Sequence, residues 1–201
     1  MNSAPVASAT LADALWSSRL DRQPVLRMAA LMLLGSVALW LSAKIQIPLW
    51  PVPVTMQTFA VLVIGIAYGW RLGGATVLFY LAQGAIGLPV FAGGWSEGGG
   101  LHHLVAGPTA GYLVGFAVAA AVVGRLAERG WDRSPVTAAA AMVIGNLVIY
   151  AMGIAWLGGM VGYGTALQVG LLPFLLGDAL KVALGAALLP LGWKALRRRK
   201  A

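Results

Sequence analysis

The chain has 201 residues, 60% of them hydrophobic and only 10% charged, against about 25% charged in an ordinary soluble domain, so an integral membrane protein is expected and a water-soluble globular fold excluded. The formal charge of +8 would suit a nucleic-acid partner, but the basic residues fall between apolar runs, which is a membrane pattern and not a nucleic-acid one. With no cysteine, 2 histidines and 6 acidic residues, disulfides and thiolate metal sites are excluded and no buried metal centre or cofactor is expected.

The opening stretch "MNSAPVASATLADALWSSRL" is weakly apolar, and residues 1–23 read as a cytoplasmic tail, mobile or lying on the membrane surface. Six apolar runs follow, each near the 17–25 residues that a bilayer requires: Pro24–Ala43, Val54–Trp70, Leu72–Leu88, Thr109–Ala127, Pro135–Leu157 and Gly170–Trp193. The first run is too long for the apolar stretch of a signal peptide, and no A-x-A-like site precedes Lys44. The expected architecture is one all-α, six-helix transmembrane domain over residues 1–201, without internal repeat or second domain. Arg19, Arg22 and Arg27, then Arg71, then Arg125, Arg129 and Arg133, and finally Lys194, Arg197, Arg198, Arg199 and Lys200 fall on one side, Lys44 falls on the other, and Lys181 lies inside a span. By the positive-inside rule both termini are predicted to be cytoplasmic.

The sixth run, "LLPFLLGDALKVALGAALLPL", carries Asp178 and Lys181 in its middle. A central charge disfavours insertion by about 2.5 to 3.5 kcal/mol on translocon scales, so the pair needs a reason. At i and i+3 the two share a helix face, and at about 1.5 Å per residue they lie roughly 10 and 15 Å below the outer end. One reading is a mutually neutralised structural pair; the other, favoured because intramembrane charges usually mark a substrate path, is the polar floor of a ligand cavity. Asn146 and, one turn further out, Tyr150 reach a similar depth, and Thr55, Gln57 and Thr58 open the second span. Each alone is more often a helix–helix hydrogen bond than a ligand contact, but they converge on the outer half, where a pocket open to the outer side is expected.

The outer connections add to this. "IQIPLWPVPV" carries Pro48, Pro51 and Pro53, which predict an extended, polyproline-like path. "GLPVFAGGWSEGGGLHHLVAGPTAGY" supplies Gly93 and Gly94 as places where backbone amides can approach a ligand, and a loop of this length suggests a lid or binding segment. His102 and His103 sit in this loop with only Glu97 near, which argues against a metal site, and no Ser or Thr pairs with them as a nucleophile, which argues against an enzyme. The phosphate-binding pattern G-x-x-x-x-G-K-[ST] is absent and no pair of broken helices is evident, so concentrative transport would require an ATPase partner or an ion gradient.

Taken in order over about residues 25 to 195, "PVPVTMQTFAVLVIG", "YLAQGAIGLPVFAGG", "GPTAGYLVGF" and "GDALKVALGA" resemble the biotin-specific substrate-binding subunit, the S component of the BioY family, of energy-coupling-factor transporters. The resemblance implies a multi-pass cell-membrane protein that captures biotin from outside and works with a transmembrane coupling subunit and paired cytoplasmic ATPases. It also implies that the biotin ureido N–H groups donate to Asp178 and its carbonyl accepts from Lys181, with Trp50, Phe91, Trp95 or Tyr112 covering the apolar part. Two positions depart from the family pattern. Ala30 is followed four residues on by Leu34 where a small residue is usual for docking the coupling subunit, the spacing recurring at Ala38 and Ser42. No arginine lies near the glycine-rich loop to meet the biotin carboxylate, leaving His102, His103 or backbone amides. The equivalent subunit for another vitamin, or a stand-alone carrier or channel, are the alternatives.

Overall fold

A computed structural model of the chain describes residues 10–15, 23–92 and 100–200, the side chains of Leu15, His103 and residues 197–200 excepted. Along these residues run α1 (Leu11–Leu15), α2 (Pro24–Lys44), β1 (Gln46–Ile47), β2 (Val54–Thr55), α3 (Gln57–Ala85), α4 (Leu101–Ala106), α5 (Ala110–Glu128), α6 (Pro135–Val161), α7 (Tyr163–Gly170) and α8 (Leu172–Lys200). Five of the helices, α2, α3, α5, α6 and the Leu172–Leu196 part of α8, are long and apolar enough to cross a membrane. The sequence predicts six such spans, and the difference lies in α3.

The expected second and third spans form a single run interrupted at Gly69, where φ is 81° and ψ 173°. That positive φ is open to glycine and strained for other residues. Eight residues of straight helix rise about 12 Å, yet a Cβ on Gly73 would lie 2.8 Å from the Gly65 Cα. Gln57 Nε2 also donates to the Tyr80 hydroxyl at 2.5 Å, although 23 positions separate them in sequence. The two arms of α3 therefore run antiparallel, folded against each other at Gly69. Gly65 is tight on a second side as well, since the Ala120 carbonyl of α5 is 2.5 Å from where its Cβ would be.

Helix α5 is central, packed against α3 and α6, with Ala119, Ala120 and Val123 fully enclosed. Its small residues let neighbouring backbones approach closely, which is how helices associate where no hydrophobic effect drives them together. Helix α2 is peripheral: Leu31, Gly35, Leu39 and Ser42 form a narrow buried stripe at helical spacing, while Leu26, Leu33, Leu34, Val37 and Leu41 point outward, a surface that requires an apolar surround. Helix α6 starts cleanly because Pro135 occupies its first turn and the Ser134 hydroxyl accepts from the Thr137 amide at 3.3 Å.

On the basic side of the bundle, Arg27 pairs with Asp13 of α1 at 2.8 Å. The α5–α6 turn is tied to α8 there: Trp193 Nε1 donates to Asp132 Oδ2 at 2.5 Å, and the Arg133 guanidinium lies 5.1 Å from the Trp193 ring centroid. Asp132 is 2% exposed. Burial holds its carboxyl above the ordinary value, although the Trp193 indole N–H and the Arg133 charge act in the opposite direction.

At the other end two loop expectations are corrected. The proline-rich stretch is closed by an antiparallel ladder, Gln46 opposite Thr55 and Ile47 opposite Val54, so it is a pinned hairpin and not an open extended path. His102 and His103 fall on a helix, α4, and not in an irregular loop. The apolar residues Leu101, Leu104, Val105 and Ala106 around them, following a Gly100 at φ 99°, suit one and a half helical turns.

Candidate functional site

A cavity of about 520 Å³ lies among the β1–β2 loop, the start of α3, the segment after it, α4, the head of α5, the middle of α6 and Phe174 of α8. Its size falls in the range of small-molecule sites. The apolar wall is aromatic: Trp50, Phe91, Tyr112, Phe116, Tyr150 and Phe174 all line it. Phe174 stacks on Tyr112 with centroids 6.4 Å apart and planes 19° from parallel, and meets Tyr150 edge-on at 6.5 Å, so these rings hold one another in place. Polar groups enter from Gln46, Thr55, Gln57, Thr58, His102, Thr109 and the two tyrosines.

Several of these polar groups are fixed by bonds pointing away from the cavity. The Tyr112 hydroxyl donates to the Gly170 carbonyl at 2.8 Å, bracing α5 against the α7–α8 junction. Gln57 donates to Tyr80, whose own hydroxyl donates to the Val90 carbonyl at 2.8 Å. Phe91 packs edge-on against Tyr80 at 5.6 Å, and Lys44 Nζ donates to the Phe91 carbonyl at 2.8 Å. The wall that carries Phe91 is thus tied to both α2 and α3.

Asp178 and Lys181 are 4% and 7% exposed and do not lie on the cavity wall. They stand directly behind it. Lys181 Nζ places its three N–H donors on Asp178 Oδ1 at 2.7 Å, the Thr55 carbonyl at 2.8 Å and the Thr58 hydroxyl at 2.9 Å. Asp178 Oδ1 also accepts from the Thr58 hydroxyl at 3.0 Å, and Oδ2 accepts from the Tyr150 hydroxyl. Two opposite charges at this spacing, with every Lys181 donor satisfied, meet the conditions under which a buried pair is tolerable. The i, i+3 spacing on α8 sets the pair, while the partners come from β2, the start of α3 and the middle of α6.

Of the residues singled out from sequence, the structure brings Trp50, Thr55, Gln57, Phe91, Tyr112 and Tyr150 onto one cavity, with Asp178 and Lys181 behind Thr58 and Tyr150. Trp50 is 87% exposed and stands at the rim, not deep in the wall. Asn146 is buried one turn from Tyr150, off the cavity, and its Oδ1 has no hydrogen-bond partner among the described residues. Gly93 and Gly94, with Trp95, lie outside the described residues. Sequence reasoning missed Gln46, Phe116 and Phe174. Phe174 was findable, since it precedes Asp178 by one helical turn; Gln46 was not, because only strand pairing brings it beside Thr55.

A model of the BioY family matches residues 11–198. The chain is 41% identical over 160 residues to the biotin transporter BioY of Rhizobium etli, covering 76% of this chain and 83% of that one. It is 42% identical over 155 residues to the biotin transporter BioY of Thermotoga maritima, covering 77% and 88%. A crystal structure of the S-component for biotin from an ECF-type ABC transporter has the same fold, with a TM-score of 0.73 over 92% of this chain and 95% of that one at 21% identity. Because the family model spans almost the whole chain and the relatives share two fifths of their aligned residues with it, the chain belongs to the BioY family, a family of transporters.

Proposed function

We propose that this chain is the substrate-capture subunit of an energy-coupling-factor importer and takes biotin into the 520 Å³ cavity from the outer side of the cell membrane. Family membership supports the transporter class, and the names of the relatives and the fold neighbour supply biotin. The observation that carries the reading is the division of the cavity into an aromatic wall and a polar floor backed by the Asp178–Lys181 pair. Biotin is divided in the same way, with a flat ureido group at one end and a thioether ring and alkyl chain beyond it. In this reading the ureido end enters at Thr55, Thr58 and Tyr150, and the aromatic rings cover the rest. Direct contact with Asp178 or Lys181 then requires one of their bonds to Thr55, Thr58 or Tyr150 to give way.

Counting the two arms of α3 separately, the chain makes six crossings as a single domain, with both termini cytoplasmic and α1 lying on that face. Uptake then depends on a transmembrane coupling subunit and cytoplasmic ATPases, since this sequence has no phosphate-binding loop of its own. Equilibrium binding of radiolabelled biotin to the purified chain, without nucleotide, tests the capture role. A chain that binds no biotin refutes it, and concentrative uptake in cells lacking every such ATPase refutes the coupling.

A further inference from the structure

Most polar side chains around the cavity are already bonded. The Gln57 amide is bonded to Tyr80, the Tyr112 hydroxyl to Gly170, the Tyr150 hydroxyl to Asp178, and the Thr58 hydroxyl is shared by Asp178 and Lys181. Gln46 is different. It lines the cavity, its Oε1 is closed off from solvent without a donor, and its amide has no hydrogen bond to any described residue. A buried acceptor left without a donor is unfavourable, and native proteins keep such groups for a reason.

The position of Gln46 suggests what the amide serves. Gln46 is the ladder partner of Thr55, whose carbonyl accepts from Lys181 Nζ at 2.8 Å. Directly opposed residues in such a ladder project to the same face with Cβ atoms about 5 Å apart, which sets Gln46 beside the polar floor. We propose that Gln46 is a ligand-reading residue that pairs edge to edge with the cyclic urea of the bound vitamin, its Oε1 accepting one ureido N–H and its Nε2 donating to the ureido carbonyl. A cyclic urea presents an N–H and a C=O side by side, the complement of a primary amide. The terminal torsion of glutamine is soft, so the amide turns toward the cavity at little cost. The pair selects a cyclic urea over a ring lacking either group, because the mismatched ligand leaves the amide unpaired again.

This inference rests on the biotin reading above, and the experiment separates the two. Biotin carrying 13C at its ureido carbonyl is bound to the purified full chain, and its affinity, the isotope-edited infrared band of that carbonyl and the thermal midpoint of the protein are measured. Gln46→Leu is expected to weaken binding about tenfold and move the band to higher frequency as one donated hydrogen bond is lost. The midpoint holds or rises, since the orphaned acceptor is gone. Gln46→Ala gives the same result without added bulk. Unchanged affinity or an unmoved band overturns the proposal and leaves the biotin reading standing. Failure of the unaltered chain to bind biotin overturns that reading and this proposal with it.

Discussion

Asp178→Asn changes one oxygen of a buried carboxylate to an amide nitrogen at constant size. The remaining oxygen still accepts from Lys181 and Thr58, which now lie 2.7 and 3.0 Å from Oδ1. The amide nitrogen meets the Tyr150 hydroxyl, which must then accept where it had donated. Lys181 keeps its charge but loses its counter-charge while 7% exposed, a situation that costs about 3 to 5 kcal/mol when a buried pair is broken from one side. The retained oxygen contact offsets part of this. If biotin reaches Asp178 by displacing its bond to Thr58 or Tyr150, the variant costs it one charge-assisted contact worth about 1.5 to 3 kcal/mol, or roughly tenfold to a hundredfold in affinity. Equilibrium binding and thermal unfolding of the same preparation separate the two costs. The double variant Asp178→Asn, Lys181→Gln removes both charges and should recover stability while leaving biotin binding weak. If the double variant restores stability and affinity together, the pair is merely structural and its assignment to the ligand floor is wrong.

Asp132 is a buried carboxylate whose proton affinity is raised in the fold. A carboxyl with a raised folded value favours folding below its unfolded value of about 4 and loses that contribution as pH rises through the folded one. Asp132→Asn should therefore flatten the decline of the thermal midpoint from pH 4 to pH 8 and raise the midpoint at neutral pH; an unchanged pH profile contradicts the burial argument. Gly65→Ala places a methyl group against the Ala120 carbonyl and should lower stability by about 1 to 3 kcal/mol, read as a drop in midpoint and folded yield, with an unaltered midpoint ruling out the close α3–α5 contact. Single cysteines at Ser3 and Ala201 should resist an impermeant thiol reagent in intact cells, and labelling of either position refutes the cytoplasmic placement of the termini.

The sequence by itself determines the class of this protein and much of its linear order. Long apolar runs require a membrane because nothing else removes so much apolar surface from water, and Pro24, Pro135 and the loop arginines mark where those runs start and stop. It also isolates Asp178 and Lys181, because two charges inside an apolar run are visible without any structure. Residues that share a helix, such as Tyr150 with Asn146 or Phe174 with Asp178, follow from the 3.6-residue period. The tertiary structure decides what lies between elements. That the chain turns back between the second and third apolar runs is expected from the break at Arg71, but that it does so inside one helical run, without a loop, depends on the positive φ of Gly69. That Thr55, Thr58 and Tyr150 close around the charged pair, leaving Lys181 no free donor and the pair behind the wall, depends on four elements meeting from positions up to 126 residues apart. Gln46 is the plainest case: its hydrogen-bonding capacity is written in its side chain, but that capacity goes unused only because the ladder to Thr55 carries it to a cavity wall that offers no partner.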